Sequence, residues 1–159
     1  MKRIPLSKNG YKYKGQYFAI VDDEDYEELN KYNWSVLIGK RCKNVYAMRS
    51  VNKYPVKMHI QLLGRKKGLE IDHINGNGLD NRKANLRFVT HAQNQFNSTN
   101  YSGSKGVSFS KQKRRWRSYI NIDNRQRFIG YFDNKKDAML AYNQRALELF
   151  GDYARLNSI

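Results

Sequence analysis

The chain has 159 residues, with 30 Lys and Arg against 14 Asp and Glu and a formal charge of +16; its length admits one ordinary domain or two small ones. The charge exceeds what solubility needs and is spread as +6, +3 and +7 over residues 1–57, 58–99 and 100–159, which favours a nucleic acid partner over a membrane bound through one basic helix. Cys42 is the only cysteine, excluding an intramolecular disulfide framework and multi-cysteine zinc modules. No apolar run reaches the length of a membrane span, and Met1-Lys2-Arg3 is not followed by a secretory apolar core; we expect a cytoplasmic chain.

Residues 15–21 (GQYFAIV) read as a strand, after which Asp22 offers an N-cap to a short helix whose first turn, Asp23-Glu24-Asp25, suits the positive end of the dipole. Tyr26, Leu29 and Trp34 fall near one side and read as core. Residues 35–51 carry the Val, Ile, Tyr and Ala content of a hairpin. The 56–63 stretch fits strand or helix, and Gly64 favours a helix that stops there. EIDHI at 70–74 is strand-like and runs into Asn75-Gly76-Asn77-Gly78, two turn-forming pairs. Leu86-Arg87-Phe88-Val89 reads as the returning strand, and Thr90 as the cap of a helix over 91–98. The Ser/Asn/Gly-rich segment 97–106 is the natural linker. Beyond it lie strand-like segments near 106–110, 116–122 and 127–132, then a helix over 135–150 with Asn134 and Asp137 as a capping box and Gly151 as its stop.

Cutting a phosphodiester requires a group to activate water and positive charge at the phosphate and the leaving 3′ oxygen; a histidine supplies the first and a divalent cation the second. Asp72-His73 sets a hard oxygen ligand beside a candidate base. Neighbouring strand side chains point to opposite faces, so both serve one site only where the strand bends or ends. Asn94, 22 residues after Asp72, offers a second oxygen from the following helix. Two oxygen ligands with water and phosphate suit Mg2+, with Mn2+ as the alternative.

The segment IDHINGNGLDNRKANLRFVTHAQN, residues 71–94, resembles the HNH endonucleases with a ββα-metal motif, especially the phage and intron-encoded homing type. That resemblance implies His73 as general base, Asp72 and Asn94 as metal ligands, and Asn85, counted with the catalytic set, as the asparagine that holds the loop backbone. It also implies one divalent ion per site and a bacterial or phage-infected host cytoplasm. His59 lies upstream, where related sequences often carry a histidine that packs behind the site or hydrogen-bonds to it. His91 reads chiefly as a solvated neighbour. Arg82 and Arg87 are candidate phosphate contacts, since guanidinium geometry suits them.

In the last sixty residues, Ser102-Gly103, Gly106-Val107, Trp116-Arg117, Ile129-Gly130-Tyr131-Phe132, Ala138, Ala141-Tyr142, Gly151 and Leu156-Asn157 resemble an AP2 domain, which implies a three-stranded sheet on one helix whose open face enters the DNA major groove. Val107, Phe109, Trp116, Ile120, Ile122, Ile129 and Phe132 fit the buried face, and Ala138, Ala141, Tyr142 and Leu149 the helix stripe over it. Alternation puts Ser108, Ser110, Arg117, Tyr119 and Asn121 on the other face, with Lys105, Arg115, Gln126 and Phe128 close by, as a DNA-reading surface. Arg114 and Arg115 close the like-charged run 111–115, a phosphate clamp that makes binding salt dependent.

The sequence thus predicts an α+β chain: residues 1–98 a nuclease domain (1–57 an N-terminal subdomain, 58–98 the ββα core), 99–102 a linker and 103–159 an AP2-like domain. Its expected work is metal-dependent hydrolysis of double-stranded DNA, nicking or homing in type, as a monomer or homodimer. The rivals are an inactive DNA-binding regulator and an RNA-binding or RNA-cleaving protein, whose stacking needs the 12 tyrosines would meet.

Overall fold

A computed structural model describes residues 1–7, 17–39, 44–98, 104–123 and 125–159. Cys42, the proposed linker 99–102 and the Ser102-Gly103 pair lie outside the described residues, as do residues 15 and 16. The fold is α+β, built from small antiparallel sheets and short helices. It packs as two units, Met1–His91 and Ala92–Ile159.

In the first unit β1 (Lys2–Leu6) pairs antiparallel with β2 (Tyr17–Val21), Ile4 opposite Ala19. Alternation turns Ile4, Leu6, Ala19 and Val21 inward. The short helix α1 (Asp23–Leu29) adds Leu29, and the buried Trp34 donates its indole N–H to the Leu29 carbonyl at 2.8 Å. Asp22 does not cap α1 with its side chain; its Oδ2 accepts from the Lys83 amide instead. A local capping expectation fails here because a tertiary donor takes the carboxylate.

The expected hairpin at 35–51 is a three-stranded meander of β3 (Ser35–Ile38), β4 (Val45–Val51) and β5 (Tyr54–Lys57). Asn52 and Lys53 make its two-residue turn with φ of 50° and 70°, the positive values that such turns need to match strand twist. The ambiguous 56–63 segment is both things in succession, since β5 ends at Lys57 and α2 (Met58–Leu63) begins at once. Gly64 stops α2 at φ 73°. Val36, Ala47 and Met58 complete the core with the β1–β2 face, each large apolar side chain contributing about 1.5–3 kcal/mol on full burial. Strand β6 (Glu70–His73) and strand β7 (Leu86–Val89) then form a two-stranded ribbon.

In the second unit α3 (His91–Asn97, of which all but His91 belongs here) stacks Phe96 flat on Phe150, 3.8 Å between centroids. Strands β8 (Val107–Ser110), β9 (Arg115–Ile122) and β10 (Arg125–Phe132) form an antiparallel sheet with β9 in the middle. Helix α4 (Lys135–Phe150) covers it with Ala138, Tyr142 and Ala146, spaced one turn apart. The capping box forms as expected: Asn134 Oδ1 accepts from the Asp137 amide at 2.8 Å. Two core assignments are corrected. Phe109 is 51% exposed, on edge strand β8 with a T-shaped contact to Trp116, and Leu149 is 39% exposed because Phe150 takes the apolar place at that end of α4.

Candidate active site

The β6–β7 ribbon sets Asp72 opposite Arg87 and His73 opposite Leu86. Asp72 and His73 therefore leave opposite faces of β6, and His73 is the strand's last residue, where the chain turns. The turn is made by asparagines. Asn75 Oδ1 accepts from the Asn77 amide and Asn77 Oδ1 from the Leu79 amide, while Gly76, at φ 74°, returns its N–H to the His73 carbonyl at 2.7 Å.

Asn85 holds both ends of this loop. Its Oδ1 accepts from the Asn75 amide at 3.0 Å, its Nδ2 donates to the Asp80 carbonyl at 2.8 Å, and its carbonyl accepts from Ile74 N–H at 2.9 Å. Those bonds span residues 74 to 85, so this buried side chain fixes where β6 ends. The loop is in turn moored to the N-terminal subdomain: Ile20 N–H donates to Leu79 O and Asn81 N–H to Ile20 O, both at 2.8 Å, and the Lys83 ammonium meets Glu24 and Asp25 at 2.6 and 2.9 Å. The acids of α1 thus anchor the loop as well as starting a helix.

His73 is 5% exposed. Its ring meets His59 edge to face at 4.9 Å and Tyr46 at 5.9 Å. Burial pushes the His73 imidazole below the ordinary histidine range, opposed by a hydrogen bond with Asn81 and by the charges of Asp72 and Asp80, and aided by Lys57. Buried His59 is pushed down to about 3 by desolvation first, then by His73 and Lys57. Both rings are neutral near pH 7, the form in which a histidine accepts a proton.

Asp72 is buried, and Arg87 reaches its Oδ2 with Nε at 3.0 Å and Nη2 at 2.9 Å. Arg82 forks onto Asp80 at 2.8 and 2.6 Å, holding that carboxyl below its usual range. Both arginines expected at phosphates therefore already hold a carboxylate. His91 Nδ1 lies 2.8 Å from Glu70 Oε1 and is largely exposed. Asn94 is half-buried on α3.

The family model for HNH endonucleases matches residues 63–96, from the end of α2 through the ribbon and its loop into α3. Over 93 residues the chain is 36% identical to Protein 3.8 of Escherichia phage T7, covering 56% of this chain and 76% of that protein. The chain belongs to the HNH endonuclease family. It is also 28% identical over 144 residues to an uncharacterized HNH endonuclease of Acanthamoeba polyphaga mimivirus, covering 89% of this chain and 75% of that protein. No solved structure matches it.

Members of this family use a divalent cation. Among the described residues no three His, Cys, Asp or Glu side chains form a metal cluster. The chemistry of Asp72 fits a hard ion: it is a buried carboxylate that already balances the positive charge of Arg87.

The second unit presents the other candidate surface. Register places Ser108 beside Arg117, Ser110 beside Arg115, Tyr119 beside Phe128 and Asn121 beside Gln126 on the sheet face away from α4. Arg117 donates to Gln126 and lies 5.2 Å from the Tyr119 ring. Phe128 is 55% exposed. Arg115 pairs with Asp133 at 2.7 Å, Ser110 Oγ accepts from the Lys113 amide, and exposed Arg114 turns the β8–β9 loop at φ 53°. Lys105 is differently engaged: its ammonium donates to the α3 carbonyls of Gln95 and Phe96 at 3.0 and 2.6 Å, and burial pushes it down to about 8. It caps a helix end.

Sequence reasoning missed Tyr46, Asn81 and Asp80, although Asp80-Asn81-Arg82 lay inside the motif. It also missed Tyr131, which a bulge between Phe128 and Gly130 swings to the open face, 5.0 Å from Phe128.

Proposed function

We propose that this chain is a metal-dependent DNA endonuclease in which His73 is the general base. The observation that carries the reading is a buried imidazole, held in its neutral form at the end of β6 beside a buried carboxylate, within the family's matched segment. His73 takes the proton of the attacking water. Asp72 and Asn94 would hold the cation, Mg2+ first and Mn2+ second, which supplies charge neutralisation at the phosphate and the leaving 3′ oxygen. Asn85 fixes the loop that ends β6, and Arg87 and Arg82 are positioned to trade a carboxylate for a phosphate when DNA arrives.

The open face of the three-stranded sheet in the second unit is the proposed grip on double-stranded DNA. Arg117, Asn121 and Gln126 would read base edges, Phe128, Tyr119 and Tyr131 would lie against sugars or thymine methyls, and Ser108, Ser110, Arg114 and Arg115 would meet phosphates. One such site cuts one strand, so a monomer nicks and a homodimer or two successive nicks are needed for a double-strand break. We assign a nuclease domain to 1–98, a linker to 99–102 and a DNA-binding domain to 103–159, so that α3 serves the nuclease by function although residues 92–98 pack with the second unit.

The test is conversion of supercoiled plasmid with Mg2+, with EDTA, and by a His73→Ala variant of matched DNA affinity. Nicked circles that disappear with EDTA and with the variant are expected. Retarded but uncut DNA across several divalent ions and targets would make the chain a DNA-binding regulator. Metal-independent cleavage of RNA alone would make it a ribonuclease.

A further inference from the structure

We propose that His59, backed by Tyr46, is a positioning residue that fixes the orientation of the His73 ring. A histidine ring turns about a broad, roughly two-fold torsion, so the end of a strand places His73 without settling where its two nitrogens point. Packing must do that. The His59 ring, brought by α2, stands edge to face against His73 at 4.9 Å and 80°, and Tyr46 of β4 closes on both, 5.6 Å from His59 and 5.9 Å from His73. Tyr46 is itself confined. The Lys57 ammonium lies 4.5 Å from its centroid, and any Cβ on Gly78 of the catalytic loop would run into the same ring. The wall behind His73 thus draws on three different elements and on the loop that follows His73 itself.

The His59 Nδ1 is buried and has no hydrogen-bond partner, so the ring acts on His73 through its packed edge and not through a hydrogen bond from that atom. The ring is neutral across the working range, so it neither competes for the proton that His73 takes nor repels the charge His73 gains. His59 touches no reacting atom on this reading. Its contribution is orientation, which enters the rate through the geometry of proton transfer.

This inference rests on His73 being the base, and its test separates the two ideas. The full chain is prepared as wild type, His59→Ala and His59→Phe, and three quantities are measured: nicking kcat at saturating plasmid, DNA Kd, and the long-range 15N–1H spectrum of the His73 imidazole without DNA. His59→Ala is expected to lose about ten- to hundredfold in kcat with Kd within twofold, and to change the tautomer balance of His73. His59→Phe, which keeps the ring edge, is expected to restore most of the rate and the wild-type spectrum. A kcat within twofold of wild type and an unchanged His73 spectrum in folded His59→Ala would overturn the proposal, as would a His59→Phe variant as slow as His59→Ala. If wild type cuts nothing, the nuclease reading fails, while the His73 spectrum still decides whether His59 orients it.

Discussion

At the scale of single residues, the two buried histidines make acid conditions informative. Each has a folded value below the ~6.5 of a free imidazole, so the unfolded chain takes up protons first as pH falls and the folded state loses stability from pH 6.5 downward. For His59, held at about 3, the loss continues to about pH 3 and amounts to roughly 4–5 kcal/mol there. Urea unfolding of wild type and His59→Phe at pH 7 and pH 4 should show the variant's stability falling less over that interval; equal slopes would mean that His59 protonates normally in the fold. Cleavage should follow the same direction. On the proposed mechanism the neutral form of His73 is the active one, and burial keeps the ring neutral below its ordinary range, so the acid limb of the rate should have its midpoint under ~6.5. Arg87 offers a second residue-scale test. Its side chain is 17% exposed and its partner Asp72 7%, and removing the cation of such a buried pair costs about 3 kcal/mol. Arg87→Ala should therefore melt lower in EDTA than wild type, and Mg2+ should recover more of its stability than it adds to wild type, because the cation supplies the lost charge. Identical responses to Mg2+ would place the ion away from Asp72.

At the scale of elements, what the sequence disclosed followed how local each interaction is. The β6–β7 ribbon, its Asn-Gly turn and α4 were legible, since turn chemistry, alternation and the Asn134–Asp137 box are written within a few residues of one another. Strand β1 was not: KRIPL carries a proline and too few apolar residues, and its edge becomes a strand only through pairing with β2. The candidate site divides in the same way. Asp72, His73 and Asn85 belong to a motif, and the resemblance points to His59 upstream of it, whereas Tyr46 reaches His73 through a sheet set by tertiary packing, and no spacing rule announces that. Asn157 is singled out by the resemblance, but its hydrogen bonds are not written in it. It accepts from the Lys105 amide at 2.6 Å, donates to the Lys105 carbonyl at 3.0 Å, and exchanges two further bonds with Asn143 of α4, so it fastens the entry of β8 to the helix. Asn157→Ala strands the Lys105 amide and should lower stability by about 1–3 kcal/mol, read as a shift in denaturation midpoint with an unchanged slope. A change within a few tenths would mean that water replaces the side chain.

At the scale of the molecule, the proposed assignment of cutting to one unit and gripping to the other predicts that the two can be impaired independently. Positive charge raises affinity for any duplex through release of condensed counterions, so the association constant should fall steeply, by powers of ten, between about 50 and 200 mM salt if six or more phosphates are engaged. The open sheet face adds what counterions cannot. Arg117→Ala removes a guanidinium held in place by Gln126 and stacked near Tyr119, and should weaken binding by about 1–3 kcal/mol if it reads a base, most strongly on the preferred sequence. If it meets only phosphate, the loss should be uniform across sequences and the salt slope should fall by about one. Nicking kcat at saturating DNA should be unchanged in either case, since no atom of the β6–β7 ribbon has been altered, whereas His73→Ala should abolish kcat with Kd intact. A fall in kcat for Arg117→Ala at saturation would instead show that the sheet face takes part in the cutting step, and the two activities would then have to be treated as one.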